Sequence, residues 1–185
     1  MNSYLSEWIV PIDQKTLQYT AWTKYNSIYD APTVSSNHIS SIFEDIDGNI
    51  WFWTAGWWVI KYNGTTWLKY TVNDGLSSDS ITSIVQDNAW NMWFATADNW
   101  ATKYDGTIFT KYNTPNLVHP NVVSVHKDSS GNLWFTSFHG LTKYDGTTWT
   151  RFNTSNGLPS STTMQFVEDN SGTLWVWSMS WVLRY

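Results

Sequence analysis

The chain has 185 residues, a formal net charge of −5, 14% charged and 18% aromatic residues, and no cysteine. That length can hold one domain with a sizeable core, and so aromatic a composition belongs to a packed β protein and not to a disordered one. Without cysteine there are no disulfides and no thiolate-bound metal, and an acidic balance without a basic cluster argues against nucleic acid as a partner.

In chain order, Met1 to Val10 carry neither the basic start nor the apolar run of a secretory signal. No apolar run approaches the roughly 20 residues of a membrane helix, so no membrane insertion is expected. Residues 1–26 read as the tail of a preceding unit, with Trp8 to Asp13 aligned on Trp58 to Asn63 and Tyr19 to Tyr25 on the strand around Trp67. From there one unit recurs, marked by Trp51, Trp93, Trp134 and Trp175 at separations of 42, 41 and 41 residues. A period near 40 is the signature of a repeat architecture.

Each unit predicts four short strands. The first strands are Ile39 to Glu44, Ile81 to Gln86, Val122 to Lys127 and Thr163 to Glu168. In the third unit the second and third strands are Leu133 to Ser137 and Leu141 to Tyr144. Asn63-Gly64, Asp105-Gly106 and Asp145-Gly146 are expected to form type I′ hairpins, leading into outer strands Thr66 to Tyr70, Ile108 to Tyr112 and Thr148 to Phe152.

Four antiparallel strands per repeat, each small sheet burying its faces on its neighbours, is a β-propeller blade. The expected fold is therefore all-β and has about four blades. Full blades span 38–72, 80–113 and 121–154, and an incomplete one spans 161–185. Two arrangements fit: a fragment of a larger propeller, or a small closed ring whose last blade is completed by the strand around Trp22.

Aligning the units exposes a conflict in the tryptophans. Three residues before the strand tryptophan the column reads Gly48, Trp90, Gly131, Gly172. Three before the Lys or Arg at 61, 103, 143 and 184 it reads Trp58, Trp100, Gly140, Trp181. Trp53 and Trp177 stand against the small Ala95 and Thr136, Trp8 fits the second glycine column, and Trp57 is a further member. A side chain at a left-handed turn position costs about 1–2 kcal/mol. These eight residues are expected either to be glycines encoded by UGA and rendered as tryptophan, or to be genuine aromatics on exposed loops that stack on sugars.

Residues for chemistry are sparse. His38, His119, His126 and His139 show no metal-ligand spacing, and no phosphate loop or nucleophile elbow is present, so no catalytic residue, metal or cofactor is expected. Asp45, Asp87, Asp128 and Asp169 form a column that reads as turn formers accepting backbone N–H bonds. Lys61, Lys103, Lys143 and Arg184 repeat as edge or inter-blade charges.

Asp128 to Thr136 (Asp-x-x-Gly-Asn-Leu-Trp-Phe-Thr), Gly140 to Gly146 (Gly-Leu-x-Lys-Tyr-Asp-Gly) and Asn156 to Ser160 (Asn-Gly-Leu-Pro-Ser) resemble the two-component regulator propeller repeat. The resemblance runs from about residue 37 onward. It implies the sensor part of a bacterial hybrid histidine kinase, often one responding to oligosaccharides, and a periplasmic or extracellular location. It also implies a signalling partner or a kinase region that this chain does not contain. Members of that family usually carry glycine at positions 53, 58, 90, 100, 177 and 181. The strand motif is also similar to streptogramin lyase propellers, which use a histidine base and a metal-bridged acid; Glu44 and Glu168 are the carboxylates nearest such a place.

The expected function is non-catalytic ligand binding or sensing, with a protein-interaction scaffold as the alternative. Loops that vary from blade to blade on one ring face are where a ligand would sit. Asp98, Asn99, His139 and Asn156 are the expected hydrogen-bonding groups for sugar hydroxyls, with Phe138 as a stacking face.

Overall fold

A computed structural model describes residues 39–54 and 58–185. The tail over 1–26, His38, the loop around Trp57 and the strand around Trp22 lie outside the described residues.

The described chain is all-β, with no helix. β1 (Ile39–Glu44), β2 (Ile50–Thr54), β3 (Val59–Tyr62) and β4 (Trp67–Tyr70) form the first antiparallel sheet. β5 (Ile81–Gln86) to β8 (Phe109–Tyr112), with β6 (Met92–Thr96) and β7 (Ala101–Tyr104), form the second. β9 (Val122–Lys127), β10 (Leu133–Ser137), β11 (Gly140–Tyr144) and β12 (Trp149–Phe152) form the third. The fourth has three strands, β13 (Gln165–Glu168), β14 (Leu174–Trp177) and β15 (Val182–Arg184). Strand order follows chain order in every sheet, as in a propeller blade.

One side-chain clamp explains why each blade starts alike. Asp45, Asp87, Asp128 and Asp169 accept the indole N–H of Trp51, Trp93, Trp134 and Trp175 at 2.7, 2.7, 2.8 and 2.7 Å. In the first three blades the same carboxylate takes the side-chain N–H of the asparagine four residues on, at 2.8 Å from Oδ2. The indole can then be buried with its one donor satisfied, which a polar group in the core requires.

Trp51, Trp93 and Trp134 are at most 1% exposed, and each packs on a phenylalanine of the following blade, Phe94, Phe135 or Phe166, at 5.2–5.7 Å between ring centroids. Burying roughly 200 Å² of aromatic surface at ~25 cal/mol per Å² makes each of these the largest single contributor to its interface, on the order of 5 kcal/mol. Trp175, which no further sheet covers among the described residues, is 37% exposed.

Two expectations need correction. The hairpins are not type I′, because only the glycines have positive φ, with Gly64 at 92°, Gly106 at 95° and Gly146 at 99°. They are four-residue loops held by the side chain of the first residue: Asn63, Asp105 and Asp145 accept the backbone N–H three residues on at 2.7–2.8 Å. That bond removes Thr66, Ile108 and Thr148 from the ladder, so the outer strands begin one residue later than predicted. The fourth inner strand also starts late, at Gln165, because Thr163 donates its N–H to Ser137 O at 2.8 Å and its hydroxyl to Gly140 O at 2.8 Å, tying the third blade to the fourth.

Of the left-handed strain expected where tryptophan stands in a glycine turn column, the described residues show two instances. Among described non-glycine residues only Trp90 (φ 67°) and Trp100 (φ 68°) are left-handed. Trp53 is 7% exposed within the core between the first two blades, and Lys69 Nζ lies 3.8 Å from the centroid of the Trp58 ring.

Candidate ligand-binding rim

Antiparallel order decides which loops meet. The end of a second strand, the start of a third, the end of an outer strand and the start of the next inner strand all fall at one end of the blades. The loops there form one rim; the β1–β2 and β3–β4 type turns form the opposite one. With ~3.3 Å per residue, strands of four to six residues hold the rims roughly 15 Å apart.

On the loop rim, Asp98 and Asn99 border a cleft completed by Val72 and Ser77 to Ser80, with a volume of about 460 Å³. Asn99 donates its amide to Ser77 O at 2.5 Å and its backbone N–H to Thr96 Oγ1 at 3.0 Å. Asp98 is exposed. Asp79 accepts the Val72 N–H at 3.0 Å and so fixes the opposite wall.

One blade further on, His139 stacks on His119, with centroids 4.0 Å apart and planes 13° from parallel. The His139 N–H bonds Ser137 Oγ at 3.2 Å, and Phe138 beside it is exposed. The Asn121 N–H points at His119 Nδ1 at 3.1 Å, which makes that nitrogen the acceptor and places the ring proton on Nε2. Burial, and then the neighbouring His139, push the His119 pKa down, which favours its neutral form.

Asn156 stands apart from both clusters. Its Oδ1 accepts the Asn153 N–H and its Nδ2 donates to Arg151 O, both at 2.7 Å, so both ends of the amide shape its own loop. Asp74 does the equivalent in the first blade by accepting the Thr71 N–H at 2.8 Å. The structure thus pairs Asp98 with Asn99 and Phe138 with His139 in successive blades. Sequence reasoning passed over His119, Asp79 and the serines Ser77, Ser78 and Ser80. Their signal was the inter-blade loop itself, which topology returns to the same rim.

A second hollow, about 700 Å³, lies among the inner strands and is lined by Ser41, Thr82, Ser83, His126 and apolar neighbours. His126 accepts or donates to Ser124 Oγ at 2.8 Å and packs on Phe166, and burial lowers its pKa. No three metal-ligating side chains converge among the described residues. Glu168 does not meet His139: it sits at the turn rim, where both its oxygens accept bonds from Ser129 at 2.5 Å, the backbone N–H and the hydroxyl. Glu44 ends β1 on that same rim.

Residues 33–55 match the family model of the two-component regulator propeller. No curated protein matches the chain. Among solved structures, the extracellular domain of a protein described as a hybrid two-component system from B. thetaiotaomicron is similar at 19% identity and TM-score 0.74, over 89% of this chain and 23% of that one. A second such domain from B. thetaiotaomicron is similar at 23% identity and TM-score 0.67, over 89% and 26%. A catalytically inactive virginiamycin B lyase from Staphylococcus aureus, crystallised with quinupristin, is similar at 17% identity and TM-score 0.63, over 91% and 60%. The chain spans about a quarter of each of the two extracellular domains. These likenesses show the propeller fold, and the family match over residues 33–55 agrees with the resemblance read from the sequence.

Proposed function

We propose that this chain is a non-catalytic sensing module that captures an oligosaccharide on its loop rim, as part of a receptor acting outside the cytoplasm. The observation that carries the reading is the contrast between rims. The turn rim repeats its Asp–Asn–Trp clamps and hairpins from blade to blade, whereas the loop rim offers an acid and serines in one blade, and an exposed Phe138 with stacked histidines in the next. Aromatic rings, hydroxyls and the carboxylates of Asp79 and Asp98 suit sugar hydroxyls and the apolar face of a pyranose.

The separation of Glu168 and Glu44 from His139 by the height of the blade disfavours a lyase-like acid–base pair. A signalling partner, or a kinase region of a longer chain, would read the bound state. A scaffold that binds protein is the second reading, favoured by the exposed Val167 and Val182 of the last sheet and Met179 on its loop.

A glycan array is the direct test. Binding to a defined oligosaccharide that falls at least tenfold in Phe138→Ala and in Asp98→Ala, with folding retained, is the expected result. Absence of glycan binding together with capture of a defined protein would select the scaffold.

A further inference from the structure

We propose that positions 90 and 100 are glycine in the protein its cell makes, their codons being UGA that the cell reads as glycine. Trp90 closes the β5–β6 turn by donating its N–H to Asp87 O at 3.1 Å. Gly48, Gly131 and Gly172 close the equivalent turns with the same bond, to Asp45, Asp128 and Asp169 at 2.9–3.0 Å. All four have positive φ, at 78°, 67°, 88° and 81° in chain order. The turn therefore demands a left-handed residue wherever it occurs, and three of four blades supply the residue suited to it. Trp100 repeats the conflict: its counterpart Gly140 has φ 136°, and a Cβ there would lie 2.2 Å from Phe152 O.

Nothing in the surroundings of Trp90 offsets the strain. Its side chain is 70% exposed, and the bond that Gln86 makes to it ends on its backbone carbonyl. Nor does one binding surface unite the anomalous residues. Trp53 is in the core, Trp90 is on the turn rim, and Trp58, Trp100, Trp177 and Trp181 are on the loop rim. A sugar-stacking role would cover at most the last group, whereas a reassigned codon needs no shared surface. UGA differs from UGG, the standard tryptophan codon, only in its third base. Trp93, between the two strained positions, is fully buried and gives its indole N–H to Asp87, so the same short stretch holds an aromatic that the fold uses.

The test is the mass of peptides from the protein isolated from the cells that make it. Cleavage after Lys69 and Lys103 releases residues 70–103, which hold positions 90, 93 and 100 together. Fragmentation is expected to read glycine, tryptophan, glycine. In the peptide from Phe152 to Arg184 the same rule gives tryptophan at 175 and glycine at 177 and 181. Tryptophan at either 90 or 100, or UGG at either codon in the gene, overturns the proposal.

Discussion

The second and third blades run in the same register and use the same clamp, yet they differ at both ends of their central strands. Where the second has Trp90 and Trp100, the third has Gly131 and Gly140. The backbone bends the same way at the first turn in both, so the turn, closed on the aspartate carbonyl, sets the conformation and the residue pays or does not pay for it. At the second site the chains diverge. With glycine, β11 begins at Gly140 and pairs it with Ser137; with tryptophan, β7 begins at Ala101, and Thr96 reaches the Trp100 carbonyl from outside the ladder at 3.1 Å. A repeat thus tolerates change where loops are free and resists it where a carbonyl or a left-handed φ leaves no room for Cβ.

The largest effect on that comparison should come from putting a Cβ where the third blade has none. Gly140→Ala sets a methyl group against Phe152 O in a region of φ that L-residues avoid, and should lower stability by about 3 kcal/mol in denaturant unfolding. An unchanged midpoint would mean that β12 shifts freely.

The clamp comes next. Asp128→Asn turns an acceptor into a donor facing the Trp134 N–H, at a cost of about 2 kcal/mol. The same clamp predicts acid sensitivity. Desolvation raises the pKa of Asp45 and Asp128, but hydrogen bonds from Trp51 or Trp134 and from Asn49 or Asn132 outweigh it, and the net shift is downward. A carboxylate with a folded pKa below its unfolded value stabilises fully above about pH 4 and loses that contribution as pH falls through the folded value. His119 and His126, whose folded pKa values burial holds below the unfolded value, should already make unfolding midpoints fall modestly as pH drops from 7 to 5. The carboxylates add a further decline below about pH 4, and only that part should be shallower in Asp128→Asn.

The smallest effect should come from the loop rim. His139→Ala removes an exposed ring from a loop and should change stability by no more than about 0.5 kcal/mol. A larger loss would show that the His119–His139 stack holds the third blade to the preceding loop.

The strands were legible because Trp51, Trp93, Trp134 and Trp175 fix the phase of every unit, and aromatic-rich stretches between turn residues define the rest. Strand starts at Trp67, Phe109, Trp149 and Gln165 were not, since each depends on where one backbone N–H goes: to an Asn63-type side chain in the outer strands, or across blades through Thr163. The aspartate column was recognised as structural, but its indole partner six residues on was visible only in space. On the rim, Asp98 and Phe138 stood out as loop residues. His119 did not, because its partner His139 is 20 residues away and meets it only once an inter-blade loop folds back. Asn156 is a ligand candidate in the sequence because it is polar and in a loop, and the bonds from both ends of its amide to its own loop are visible only in space.

The most direct measurement compares unfolding of the sequence as written with the double variant Trp90→Gly and Trp100→Gly, using Trp93→Gly as a control. Relief of two left-handed side chains, less the chain entropy of glycine and the surface that Trp100 buries, should raise stability by about 1 kcal/mol or more and reduce light scattering on heating. Trp93→Gly should lose about 4 kcal/mol, since it empties the core between the second and third blades and leaves Asp87 without its indole donor. A double variant no more stable than the written sequence would contradict the account, because it would mean that these turns do not require glycine.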